Sequence, residues 1–172
     1  MDLSLLAWGD AGWGDQMARG AVMTLLVAVA AYALGVLIGA GLAAMKLAFF
    51  LNVPSPTEIY TTVIRGIPEL LVIYLVFFGG GTALRAIAAG MFGYDGYLEL
   101  PIFVTGTVCL AVSAGAYSAE VIRGAVQVVP KGQLEAAVAV GMSRAQRLRR
   151  VLVPQVARHA LPGLGNVWQL TL

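Results

Sequence analysis

Two short pairs of opposite charge stand inside otherwise apolar sequence: Arg65 with Glu69, spaced i, i+4, and Glu120 with Arg123, spaced i, i+3. On a helix either spacing brings both side chains to one face, where they can neutralise each other. Ionisable groups at membrane depth are costly unless they meet a cavity or a partner. Each pair therefore has two readings. One is contact with a charged solute, chiefly by Glu120 and also by Glu69; the other is structural pairing near an interface, where long side chains reach water. His159 is the sole histidine and has no companion at metal-ligand spacing. Cys109 is the sole cysteine, which excludes an internal disulfide and reads as a small packing residue. The sequence has no G-x-x-x-x-G-K-[ST], H-E-x-x-H or G-x-S-x-G pattern, and no acid, base and nucleophile set. It carries no cofactor motif, and it does not read as an enzyme.

The elements that must position those charges are long and apolar. The chain is 59% hydrophobic and 12% charged, with a mean hydropathy of +0.84. A soluble domain carries about twice that share of charge, so the bilayer is the expected solvent. Apolar runs predict spans at about residues 21–45, 59–83 and 101–123, with a partial fourth at 155–172 and a polar loop at 84–100. The first run is too long, and its leader too acidic (Asp2, Asp10, Asp15), for a cleavable signal peptide. Gly35 and Gly39, extended by Gly41, form a small-xxx-small face suited to close helix approach, or reflect general Gly and Ala enrichment. Residues 52–57, NVPSPT, read as a turn, and Pro68 as a bend in the second span. Trp8, Trp13, Tyr94 and Tyr97 read as interfacial belt residues.

Seven of the 11 basic residues lie between Arg123 and Arg158. By the positive-inside rule that block is cytoplasmic, which makes the 84–100 loop and the N-terminus periplasmic. Asp2, Asp10, Asp15, Asp95 and Glu99 all fall on the outer side of that arrangement.

Residues 128–153 are the part that bilayer solvation does not explain. Val129-Pro130 should end the third helix. A thin, Ala-rich helix follows over residues 133–140, and Gly141 can supply the positive φ that ends it. Ser143 with Gln146 fits a capping box opening a second helix, with Leu148, Val151 and Leu152 on one face. Arg144, Arg147 and Arg150 then point to water or lipid phosphates, and the flanking apolar runs argue against nucleic acid.

Glu135-Ala136-Ala137, Gly141 and Val151-Leu152-Val153-Pro154 together resemble the EAA motif of permease subunits in bacterial ABC importers. Val153-Pro154 stands where that family commonly shows Leu-Pro. Tyr60 with Arg65-Gly66-Ile67-Pro68-Glu69-Leu70-Leu71, then Gly115-Ala116-Tyr117, Glu120 and Arg123-Gly124, then Ala160-Leu161-Pro162-Gly163 with Gly165-Asn166, are similar to the polar amino-acid permeases of the histidine, arginine and opine "Q" type. The resemblance covers about residues 17–172. It implies an all-α, polytopic membrane protein: a helical transmembrane bundle of the type I importer permease kind, C-terminally incomplete because such permeases continue beyond a fourth span. It also implies that Lys131, Glu135, Ala136, Ala137, Gly141 and Pro154 couple the chain to an ATPase, and that Arg65, Glu69, Tyr117 and Glu120 border the substrate pathway. The implied partners are a cytoplasmic ATPase dimer that binds ATP and Mg, a similar but non-identical second permease, and a periplasmic solute-binding protein. The implied location is the bacterial inner membrane, and the implied cargo polar, chiefly basic, amino acids or opines. An ion-coupled secondary transporter, an intramembrane enzyme and a non-transporting membrane anchor are the alternatives.

Overall fold

In the computed structural model, residues 7–9, 12–48, 56–93 and 101–172 are described. The elements are α1 Gly14–Ala48, α2 Pro56–Gly66, α3 Glu69–Phe92, α4 Ile102–Val128, α5 Lys131–Ala139, α6 Arg144–Arg147, a π-helical stretch Leu148–Leu152, and α7 Val153–Thr171. No strand occurs among the described residues. Among the described residues three helices are long and apolar enough to cross a membrane: Gly14–Leu47, Glu69–Met91 and Ile102–Val128.

Two expected boundaries change. The second span is not one helix over 59–83, because α2 stops at Gly66 and α3 starts at Glu69, with Ile67 and Pro68 between them. Pro68 lacks a donor and disfavours αR at the residue before it, so it divides the run instead of merely bending it. The first part of the expected 84–100 loop is helical, since α3 continues to Phe92 and Gly93, at φ +63°, follows it, while residues 94–100 lie outside the described residues. Of the 52–57 turn, residues 52–55 lie outside the described residues, as do Tyr94 and Tyr97 of the aromatic belt. Trp8 and Trp13 are exposed.

α4 is the centre of the bundle. Half of its most apolar window is buried, against 17% for α1 and 6% for α3. Its principal neighbour is α1, whose buried residues Ala28, Ala31, Gly35, Gly39 and Ala43 recur at three- and four-residue steps and so form one stripe. A Cβ on Gly35 would come within 2.6 Å of Ala114 Cβ, and one on Gly39 within 2.5 Å of Ser118 Cβ and 2.8 Å of the Ala119 backbone nitrogen. The small face is thus a real contact between two backbones. Gly41 does not extend it, for nothing lies within 4 Å of its added Cβ. The contacts advance together along both chains, Gly35 to Ala114 and Gly39 to Ser118, so α1 and α4 run parallel. That requires a return crossing between them, which α3 supplies.

α7 runs back. Gly163 packs on Val121, and the Tyr32 hydroxyl donates to the Leu164 carbonyl at 3.2 Å while its ring meets Trp168 edge-on at 5.4 Å. The expected fourth run is therefore a helix lying antiparallel inside the bundle. It is less apolar than the three spans, because Gln155, Arg158, His159, Asn166 and Gln169 interrupt it.

Gly39→Ala must separate α1 from α4, since an obstructing backbone atom cannot rotate away. Such overpacking costs about 1–3 kcal/mol. The expected result is a lower midpoint of heat-induced aggregation in detergent, with Gly41→Ala unchanged. Equal midpoints for the two variants would contradict the close approach of α1 and α4.

Candidate functional site

The amphipathic segment forms a compact bend at the end of α4. Val129, at φ −67° and ψ 121°, leaves the helix, and Pro130 opens α5 with its carbonyl accepting from Gln133 N–H at 3.1 Å. α5 begins at Lys131 and ends at Ala139, slightly earlier at both ends than the residues 133–140 expected. Its end is a complete Schellman turn. Gly141 N–H donates to the Val138 carbonyl at 2.9 Å and Met142 N–H to the Ala137 carbonyl at 3.0 Å, with Gly141 at φ +77°. Ala137 is the buried residue of α5, whereas Lys131, Glu135, Ala136, Val138 and Val140 are exposed. The exposed face of this nine-residue helix is thin, with alanine, valine and glycine between Lys131, Gln133 and Glu135.

The capping box is present: Ser143 Oγ accepts from Gln146 N–H, and Gln146 Oε1 accepts from Ser143 N–H at 2.9 Å. The helix it opens does not remain a separate short one. After one turn it widens into the π-helical stretch Leu148–Leu152 and runs on into α7. Pro154 explains the widening, because it cannot donate the bond that an α-turn requires there. The wider turn also moves the expected apolar face: Val151 and Leu152 are half-buried, but Leu148 is 54% exposed. Arg144, Arg149 and Arg150 are exposed and Arg147 half-buried, so the arm of the bend after Gly141 carries a cationic rim.

The charged pairs behave differently from each other. Among the described residues no ion pair joins Arg65 to Glu69, because the helix break at Ile67 and Pro68 removes the shared helix face. Arg65 instead lies over the Tyr117 ring, 5.8 Å from its centroid, which brings two of the expected pathway residues together. Glu69 stands in the first turn of α3. Glu120 and Arg123 do pair, with Arg123 Nε at 2.9 Å and Nη2 at 2.8 Å from Glu120 Oε2.

Sequence reasoning missed a third member. Lys46 Nζ, at the end of α1, donates to Glu120 Oε1 and, at 2.5 Å, to Thr61 Oγ1 of α2, which itself lies 3.1 Å from Glu120 Oε1. The Lys46 side chain is 6% exposed and that of Glu120 16%. A lone lysine at the edge of a span normally snorkels, so nothing in the sequence marked it. Both carboxylate oxygens of Glu120 are thus held by cations. Close by, Tyr60 donates to the Val112 carbonyl at 2.7 Å, tying α2 to α4 a second time.

A family model described as "Binding-protein-dependent transport system inner membrane component" matches residues 35–172. The nopaline transport system permease protein NocQ of Agrobacterium fabrum is 63% identical over 172 residues, spanning 100% of this chain and 73% of that protein. The octopine transport system permease protein OccQ of Rhizobium meliloti is 42% identical over 170 residues, covering 99% of this chain and 71% of the relative. Among solved structures, the crystal structure of an amino acid ABC transporter with histidines aligns at 35% identity and a TM-score of 0.64 over 87% of this chain. The chain spans 64% of that solved chain, a little under two thirds of its length.

Proposed function

This chain belongs to the family of binding-protein-dependent transport system inner membrane components, and from that membership we propose that it is a permease subunit importing an opine or a polar, chiefly basic, amino acid at the expense of ATP hydrolysed elsewhere. The family is one of transport permeases rather than enzymes, and permeases of amino-acid and opine importers are its relatives. The observation that carries the proposal is the exposed helix–Schellman turn–helix bend at the end of the most buried helix. A surface left uncovered by its own chain and joined to the core by one rigid helix suits a contact through which a separate motor moves the bundle.

In this reading α5, with Lys131, Glu135, Ala136 and Ala137, sits in a cleft of a cytoplasmic ATPase subunit, and Gly141 and Pro154 hold the bend in shape. ATP and Mg bind that partner alone. ATP binding draws the ATPase dimer together, the bend moves with it, and α4 passes the motion into the spans. The pathway then opens outward to a periplasmic solute-binding protein, and hydrolysis resets it. A second, similar permease chain lines the other side of the pathway. Arg65, Tyr117 and Glu69 border it on this side, supported by the exposure of Arg65 and its seat over Tyr117. The N-terminus is periplasmic and residues 128–153 are cytoplasmic, supported by the cationic rim and by the parallel run of α1 and α4.

The test is purification of the full-length chain from native membranes with its ATPase, followed by ATP hydrolysis in vesicles. The expected result is hydrolysis raised several-fold by solute-loaded binding protein, with nopaline, octopine, arginine and histidine compared as solutes. No associated ATPase, or transport driven by an ion gradient alone, would overturn the reading. Orientation has its own check: a thiol probe that cannot cross membranes should label Ala145→Cys, an exposed position, only in inverted vesicles. Labelling in intact spheroplasts would reverse the topology.

A further inference from the structure

We propose that Lys46 is a positioning residue: by clamping Glu120 it joins the ends of α1, α2 and α4 into one rigid body, and the motion of the bend is taken up at the Ile67–Pro68 break instead. The inference rests on the ABC-importer reading and adds to it where the moving joint lies.

Three observations carry it. The clamp is closed on every side, since Lys46 holds Glu120 Oε1, Arg123 holds Oε2, and Thr61 of α2 bridges Lys46 and Glu120. It is poorly exposed, at 6% for Lys46 and 16% for Glu120, so separating its members would strand charge away from water. It is also close to the bend: Glu120 precedes the end of α4 at Val128 by eight residues, about 12 Å of continuous helix. A push on α5 therefore reaches α1 and α2 through the clamp. α3 has no such tie. Among its described side chains Val72 is buried, Leu70, Leu71, Tyr74, Leu75, Phe77 and Phe78 are exposed, and Ile67 and Pro68 interrupt the helical path that leads to it.

The same geometry removes Glu120 from the candidate solute contacts. A carboxylate already bound by two cations and a hydroxyl gains little from a third cation. Its role is to hold the helices around the path in register.

The experiment uses the full-length chain in its reconstituted complex, after solute-stimulated ATP hydrolysis of the unaltered complex has been measured; absence of that activity would refute the importer reading, and with it the role given to the clamp. Spin labels go on exposed positions outside the clamp, Leu37→Cys with Val128→Cys inside the proposed body, and Leu37→Cys with Tyr74→Cys across the break. Between nucleotide-free and ATP-bound states the first distance should stay constant and the second should change. A change in the first, or constancy of both while transport proceeds, overturns the proposal. Kinetics provide an independent measurement. Lys46→Met and Glu120→Gln should lower maximal transport alike, by about tenfold, with the half-saturating solute concentration unmoved, and Lys46→Arg should restore most of it. A shift in half-saturation with Glu120→Gln alone would return Glu120 to the solute path and sink the clamp.

Discussion

A complex carrying Gly141→Pro is expected to assemble and yet lose solute-stimulated ATP hydrolysis almost entirely. Gly141 stands at φ +77°, whereas the proline ring fixes φ near −65°. The substitution also deletes the N–H that donates to Val138 at 2.9 Å, half of the Schellman pair. Together these cost about 3 kcal/mol or more, enough to depopulate the bend by over a hundredfold. Gly141→Ala keeps the donor and bears only the left-handed penalty, about 1–2 kcal/mol, so it should be intermediate. Gly132→Ala is the control, because Gly132 lies inside α5 with nothing within 4 Å of an added Cβ and no positive φ. It should leave coupling unchanged. Glu135→Lys tests the surface of α5 rather than its shape: Glu135 is exposed, so the fold should survive while stimulation falls. The measurement is ATP hydrolysis with and without loaded binding protein. Normal stimulation in Gly141→Pro would mean that the bend is not the route by which the motor acts.

The bend was legible residue by residue because its determinants are local. A proline ends α4, a glycine closes α5, and a serine with a glutamine three residues later opens α6, each acting on its own backbone neighbours. The spans were legible because bilayer thickness sets a length that apolar runs must meet. What failed were local effects that compete. Pro68 reads as a bend in a long apolar run, but after Gly66 and Ile67 the proline divides the helix, and the Arg65–Glu69 pair is lost with it. The π-helical stretch before Pro154 is not legible in the sequence, since a proline alone does not say whether the turn before it widens, kinks or ends. Lys46 was out of reach for a different reason. It lies 74 residues from Glu120, and the contact exists only because the Gly35 and Gly39 face lets α1 approach α4 closely. The small-residue face could be read, but not the ion pair that it brings into reach.

Glu120→Lys should reduce the amount of folded chain in the membrane more than any other single substitution considered. It gathers Lys46, the new lysine and Arg123 at a site where the Lys46 side chain is 6% exposed. Removing one partner from a buried pair already costs about 3–5 kcal/mol, and a like charge about 4 Å away adds repulsion of the same order at the effective dielectric of a protein. Losses of that size lower cellular abundance by about tenfold or more, as unfolded chains are degraded. Arg123, with 36% of its side chain exposed, can turn to water, but Lys46 cannot. The double substitution Lys46→Met with Glu120→Leu should therefore recover most of the membrane level, because no stranded charge remains and Arg123 reaches solvent unaided. Quantitative immunoblots of membranes decide between the two accounts. If Glu120→Lys accumulates like Glu135→Lys, whose side chain lies at an exposed position, Glu120 is not clamped between two cations. If the double substitution fails while Glu120→Gln succeeds, close packing around this site matters more than its charge.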